Sequence, residues 1–235
     1  MKITFILIVV MLSGVANAQN SQVTTNRMHQ NQASLGNGVK IGENLYTSIP
    51  EPKELEGNPY LYEDWYRGKI FFKQGGDSVV SNQIKYNLFT NYIEIFVDKQ
   101  PRGVDAVLIN KFELTDHMSE SHIFLACTEI DAENIPKAGF CEVLVDNTIS
   151  LVRKPFINIK PANYDQALMV GNRNDKILNK EEFYVLYEGK GYLIKNKRSM
   201  KDFLDVVGLR DKIKVGGIDA DGIQDLVYKM NQLKK

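Results

Sequence analysis

The acidic run Asp219-Ala220-Asp221-Gly222 carries the residue types of a calcium loop, in which alternate carboxylates face one cation and a glycine makes the sharp turn. Placing Gly222 on that glycine puts Gly217 at the first ligand position and Tyr228 where the bidentate glutamate is required. With two strong ligands missing, the run reads as an aspartate cap on the free amides that open a helix. His117 and His122 stand five apart, with Asp116 and Glu120 nearby. Metal ligands on a helix want a spacing of four, and an odd separation on a strand sends side chains to opposite faces. The stretch is expected to be a polar turn feeding a strand, with no metal and no cofactor. Pairs such as Glu63/Asp64 and Glu181/Glu182 are not marked out for acid–base work, and no phosphate-cradling glycine loop is present.

Gly76-Asp77-Ser78 resembles the nucleophile block of GDS(L)-type serine hydrolases. That chemistry needs a late histidine in an Asp-x-x-His arrangement, and the last histidine, His122, stands in none. Gly75-Gly76-Asp77 is therefore read as a turn. No catalytic residue is assigned. The densest aromatic group is Tyr60, Tyr62, Trp65 and Tyr66. Such a group either offers a binding surface for sugar rings or a partner protein, or locks the incoming chain onto a sheet. It is the candidate binding surface. Cys127 and Cys141 close a loop whose disulfide would contribute about 3 kcal/mol. Opposite each other in a hairpin centred near Asn134 they would bond; otherwise they pack as two buried thiols.

The elements that must position these groups are mostly strands. Short runs of β-branched and aromatic residues predict strands near Lys69–Lys73, Gln83–Phe89, Tyr92–Val97, Val104–Leu114, His122–Thr128, Phe140–Val145 and Ile149–Arg153. Asp98 to Gly103 reads as a turn. A weak repeat relates Val143-Leu144-Val145-Asp146-Asn147, leading to Leu151, to Val185-Leu186-Tyr187-Glu188-Gly189, leading to Leu193. Both copies have the form of a tight hairpin. Ser199 is expected to cap a helix through an S-x-x-D box with Asp202, and Gly208 to end it. The basic run Lys195-Asn196-Lys197-Arg198 before it reads as a solvated turn. Ile223, Leu226, Val227 and Met230 give a last helix, to Leu233, one apolar face. The fold class expected is α+β: an antiparallel β-rich body, a meander of hairpins, closed by two C-terminal helices.

The first eighteen residues read as a secretory signal: Lys2, an apolar run from Ile3 to Leu12, and Ala16-Asn17-Ala18 before a mature start at Gln19. The apolar run is shorter than the roughly 20 residues a bilayer needs, and Gln19 is not the cysteine of a lipoprotein. Residues 19–58 form a polar segment expected to be a flexible leader, and residues 59–235 one α+β domain, β-rich over 67–195 and helical over 199–233. The 29 basic and 29 acidic side chains balance, which argues against nucleic-acid binding through counterion release, a mode that needs a basic face. No membrane span is expected.

The block Pro59–Ile70, the pair Tyr86-Asn87, and the segments Phe140–Lys154 and Phe183–Leu204 together resemble a group of exported proteins of unknown function of the kind common in Bacteroidota. That resemblance implies a place in the periplasm or outside the cell and brings no catalytic residues with it. The functional expectation is a non-catalytic envelope protein that binds another macromolecule, an envelope protein or a glycan. The alternatives are a hydrolase acting on glycan or peptide, and a carrier of a small ligand or lipid, which a closed barrel would favour. The oligomeric state is left open.

Overall fold

Alternating apolar and polar residues separated by turn signals produce antiparallel pairing almost throughout. A computed structural model describes residues 39–41, 44–47, 55–74, 78–97 and 99–234, all within the unit Gly38–Lys235. Among the described residues thirteen strands share one sheet. They are β1 (Val39–Ile41), β2 (Asn44–Thr47), β3 (Leu55–Glu56), β4 (Tyr66–Phe72), β5 (Ser78–Asn87), β6 (Tyr92–Val97) and β7 (Gln100–Asp105). There follow β8 (Ile109–Thr115), β9 (Ser121–Ala126), β10 (Phe140–Val145), β11 (Ser150–Lys160), β12 (Asp175–Tyr187) and β13 (Lys190–Ile194). Two helices, α1 (Lys197–Val206) and α2 (Ala220–Leu233), complete the α+β fold.

The pairing order is β1-β2-β7-β6-β5-β4-β8-β9-β10-β11-β12-β13, with β3 lying parallel to β12 off that path. Among the described residues the path runs from β1 to β13 without closing into a barrel. No helix among them is long and apolar enough to cross a membrane. The signal segment, most of the leader and Gly75-Gly76-Asp77 lie outside the described residues.

Three segments of the stretch assigned to a flexible leader are strands. β1 and β2 form a hairpin that pairs onto β7, and β3 pairs with Asp175 and Lys176. Edge strands gain backbone hydrogen bonds without burying both faces, so a polar composition does not exclude them. The expected turn over 98–103 is shorter than read: Val97 pairs with Gln100, and Pro101 lies within β7. Among the described residues β2 pairs with β7 at Gly103 and Val104, so the missing amide of Pro101 disturbs no ladder there. The strand expected over Val104–Leu114 is broken by a 3-10 turn at Ala106–Leu108, capped by Asp105, whose Oδ1 accepts from the Val107 amide at 2.9 Å.

Three cores follow from the alternation. Strands β4 to β10 enclose Phe112, Phe124 and Phe140, with Phe112 stacked on Phe124 at 4.6 Å and Phe140 edge-on to Phe112 at 4.9 Å. On one face of β10–β13, Leu151, Phe183 and Val185 pack under Met200, Phe203, Leu226 and Met230 of the helices. On the opposite face, Val152 and Tyr184 pack under Cys127, Ile130 and Ile135. Cys127 and Cys141 are disulfide-bonded, their Cα atoms 5.6 Å apart. They do not face each other across the hairpin: Cys141 pairs with Leu125, and Cys127 lies in the turn just beyond β9.

The two copies of the weak repeat differ. Glu188 and Gly189 make a two-residue turn with φ of 49° and 70°, as a type I′ hairpin requires. The first copy instead needs a longer loop between Val145 and Ser150. Asn196, not Ser199, is the N-cap of α1: Asn196 Oδ1 accepts from the amides of Arg198 and Ser199, and Ser199 Oγ accepts from the Asn196 amide. Of the basic run expected as a turn, Lys197 and Arg198 open the helix, while Asn196 caps it and Lys195 precedes it. Gly208, with φ of 68°, follows the helix end as read.

Helix α2 is fastened to the β10–β11 loop by one buried side chain. The Ile149 amide donates to Asn231 Oδ1 at 2.9 Å, and Asn231 Nδ2 donates to the carbonyls of Ile149 (2.8 Å) and Val227 (3.0 Å). Replacing Asn231 with leucine leaves both polar groups of Ile149 buried without partners. Each such group costs about 1–3 kcal/mol, so Asn231→Leu is expected to lower stability by about 2–4 kcal/mol in urea unfolding. A loss below about 1 kcal/mol would show that apolar packing alone seats the helix.

Candidate functional site

The strongest side-chain constellation lies where the chain between β3 and β4 crosses the mouth of the aromatic core. Glu142 on β10 and Arg153 on β11 are direct cross-strand partners. Arg153 Nε donates to Glu142 Oε2 at 2.6 Å, a second guanidinium nitrogen contacts the same oxygen, and Arg153 also pairs with Glu181 at 3.5 Å. Glu142 is only 2% exposed. Its other oxygen accepts from His122 Nδ1 at 2.8 Å, and His122 Nε2 stands 3.6 Å from Asp116. Arg153 also donates to the Tyr62 hydroxyl at 3.2 Å.

Burial works to lower the Arg153 pKa, but Glu142, Tyr62 and Glu181 outweigh it and hold the group above its ordinary value. Burial, with Glu142 adding to it, pushes the Tyr62 phenol up to about 12. Asp116 is held below the usual carboxylate range, chiefly by the Glu120 amide.

Of the histidine stretch, Asp116, Glu120 and His122 do come within 4.8 Å of one another. Asp116 Oδ1 is already spent on the amides of Met118 and Glu120, both at 2.8 Å, and His122 Nδ1 on Glu142. The geometry is that of the polar turn read from the sequence. His117 is separate, its ring tilted against Tyr66 at 5.4 Å and its Nε2 3.7 Å from Asp64. Asp219 caps α2, its Oδ1 accepting from the Gly222 amide at 3.0 Å. Ser78 opens β5 opposite Phe71.

The four aromatics are all half-buried and divide into two groups. Lys85 places its ammonium over the rings of Tyr60 (4.4 Å) and Trp65 (5.3 Å), and Trp65 packs edge-on to Phe96. The Tyr60 hydroxyl donates to Glu94, which also accepts from Asn87 at 3.0 Å. Burial raises the Glu94 pKa, and the hydrogen bonds from Asn87 and Tyr60 oppose that rise. Tyr62 and Tyr66 pack on each other at 5.0 Å beside His122 and His117. Tyr62 alone of the four lines a cleft of about 370 Å³, together with Arg153, Leu88, Pro155, Lys180 and Glu181.

Two features carried no sequence signal that was used. One is the extension of β11 and β12. Their register continues from Ser150↔Leu186 to Lys160↔Lys176, whereas β10 and β13 accompany it only as far as Arg153 and Phe183. The outer part is an arm of β11 and β12, joined by β3 at Asp175 and Lys176, whose tip exposes Leu168, Met169 and Val170 at 69, 79 and 57%. The other is Lys154, on the face opposite Arg153 and only 7% exposed.

No protein-family model, curated protein or solved structure matches the chain.

Two outcomes follow from these networks. Arg153→Met strands a buried carboxylate and is expected to cost about 3 kcal/mol, with the added change Glu142→Leu recovering part of that loss in a double-mutant cycle. A double-variant loss equal to the sum of the Arg153→Met and Glu142→Leu losses would mean that the pair carries no coupling. Glu94 has a folded-state pKa above its unfolded value, so the folded chain binds more protons and stability falls as pH rises between the two. Glu94→Gln should remove that slope in urea titrations from about pH 4 to about pH 7; an unchanged slope assigns it to other groups.

Proposed function

We propose that this chain is an exported, non-catalytic protein of the bacterial envelope that holds another protein through the β11–β12 arm. The carrying observation is the arm's ordered, apolar tip. Asp165 exchanges backbone hydrogen bonds with Val170, and its carboxylate accepts from the amides of Ala167 (2.9 Å) and Leu168 (3.1 Å). Leu168, Met169 and Val170 are thereby presented together on a fixed turn rather than on a loose loop. Contiguous exposed apolar side chains of this kind mark interaction sites. Three aliphatic side chains offer a sugar neither a stacking face nor a hydrogen bond, and they fit an apolar pocket in a protein.

At the arm's root the Tyr62 cleft supplies a second contact of different character, with a phenol, a guanidinium and a carboxylate at its wall. Tyr60, Trp65 and Tyr66 hold the incoming segment against the body around it. Export is supported by the N-terminal signal pattern and by the cystine, since disulfides persist in oxidising compartments. The resemblance of Pro59–Leu204 to exported proteins of the Bacteroidota kind agrees with that placement.

The test is photo-cross-linking in the native envelope from a reactive residue at Val170. One dominant protein adduct is expected. Leu168→Ser with Met169→Ser should cut its yield about tenfold or more while the melting temperature stays unchanged, as for a buried anchor. Tyr62→Ala should give a smaller loss. An adduct of undiminished yield in the double variant, or adducts to lipid alone, would overturn the assignment.

A further inference from the structure

Lys154 presents a physical problem that the fold itself leaves unsolved. A buried ammonium is costly unless paired with an opposite charge and hydrogen-bonded. Its amine donates to the Ala138 carbonyl and lies 3.6 Å from Cys127 Sγ, one neutral acceptor and one weak one. The residue directly across the strand pair is Glu182, but that carboxylate accepts from the Tyr184 hydroxyl at 2.7 Å. Among the described residues Lys154 forms no ion pair. Burial accordingly draws its pKa below the ordinary lysine value, against the pull of Glu182.

Lys154 lines a cleft of about 460 Å³, which adjoins the Tyr62 cleft through Leu88 and Pro155 and lies within the range of roughly 300–1,000 Å³ typical of ligand sites. Its walls are apolar: Leu88, Phe89, Phe156, Ile157 and Ile159. Phe89 and Ile159 are 39 and 41% exposed, so this lining opens to solvent.

The polar end of the cleft is focused on Gly139. A Cβ there would stand 3.1 Å from the Tyr86 hydroxyl, 3.6 Å from Asn91 Oδ1 and 3.8 Å from Lys154 Nζ. Glycine, with φ of 74°, keeps that point empty. Tyr86 donates to Asn91 Oδ1 at 2.7 Å, so these two oxygens are engaged with each other. The Lys154 amine is the cation beside that small space, at the polar end of an apolar cleft.

We propose that this cleft binds a small amphiphilic anion, its acidic head at Lys154 beside Gly139 and its apolar part against Phe89, Phe156 and Ile159. The head supplies the charge that Lys154 lacks, and the body covers apolar surface now open to water. This site is independent of the arm's tip, which serves a protein partner.

Calorimetric titration of the purified chain with octanoate, octanol, octylamine and acetate tests it. Octanoate should bind about tenfold or more tightly than each of the other three, the scale of one charge-assisted hydrogen bond or of a lost apolar tail. Lys154→Met should reduce octanoate affinity by a similar factor and leave octanol unchanged, whereas Lys154→Arg should retain the preference for octanoate. Should Lys154→Met fail to fold, the order of the four probes on the unaltered chain decides. Equal binding of octanoate and octanol removes the charge recognition, equal binding of octanoate and acetate removes the apolar half, and no binding of octanoate overturns the site.

Discussion

The ion pair between Arg153 and Glu142 sits directly across the β10–β11 pairing, and the register it marks decides where the neighbouring groups go. Side chains alternate along a strand. Leu151 therefore enters the core beneath the helices and Val152 the core beneath the cystine, while Arg153 faces Glu142 and Lys154 the apolar cleft. A slip of one residue would exchange those faces wholesale. It would also leave the Glu142 carboxylate buried without its guanidinium, at a cost of about 3–5 kcal/mol. The pair thus acts on specificity of register, and the candidate sites on both faces of β11 inherit their positions from it.

The two halves of the sheet solve burial differently. Strands β4 to β10 gather one aromatic core among themselves, whereas β10 to β13 need a cover on each face. Helices supply one cover through Phe203, Leu204 and Met230. The chain from Cys127 to Gly139 supplies the other with few apolar side chains, so it is tied by polar links. Lys137 donates to the carbonyls of Ile130 and Ala132, the Glu133 amide donates to Gly189, and the Gly191 amide returns to Glu133. These ties also shield the β13 edge, where unpaired backbone would otherwise invite another strand. The covering chain must turn into β10 at Gly139, and that turn forms the polar end of the Lys154 cleft. A structural necessity and a binding geometry share one residue.

The sequence was most legible where a strand is bounded by turn chemistry and buried on alternate residues. Tyr92–Val97 and Phe140–Val145 were read at their observed limits for that reason. The interruption at Ala106–Leu108 was missed although Asp105, a capping type, marked it. The outer arm was missed because Asn158, Lys160, Asn179 and Lys180 give a strand stabilised by its partner's backbone no apolar period to display. Cys127 and Cys141 could be placed near one another but not in register. The Arg153–Glu142–His122 network joins residues on three strands, and no local pattern announces such a grouping. Lys154 is the harder case: a lysine within a strand ordinarily reads as its solvent side, and only the covering chain from Cys127 to Gly139 buries it.

The arm shows why residue type at its tip calls for an explanation outside folding. Beyond Arg153 and Phe183 it has lost β10 and β13; β3 pairs with Asp175 and Lys176, Asn179 donates to the Tyr60 carbonyl, and the tip beyond them has its own wiring. The Ala162 amide donates to Asp175 Oδ1 at 2.7 Å, Asn163 and Asn172 bond through backbone and side chain, and Arg173 covers the Tyr164 ring. Side-chain oxygens that satisfy backbone amides hold a turn without any core. Polar residues at 168–170 would serve that architecture equally well and would avoid the cost of hydrating three aliphatic side chains, roughly 25 cal/mol for each Å² left in water. Met118, 83% exposed on the 116–120 turn, stands alone and is the scattered kind of surface methionine that needs no account. Leu168, Met169 and Val170 are contiguous, exposed and held on a hydrogen-bonded turn, and this is the arrangement on which the proposed protein contact rests.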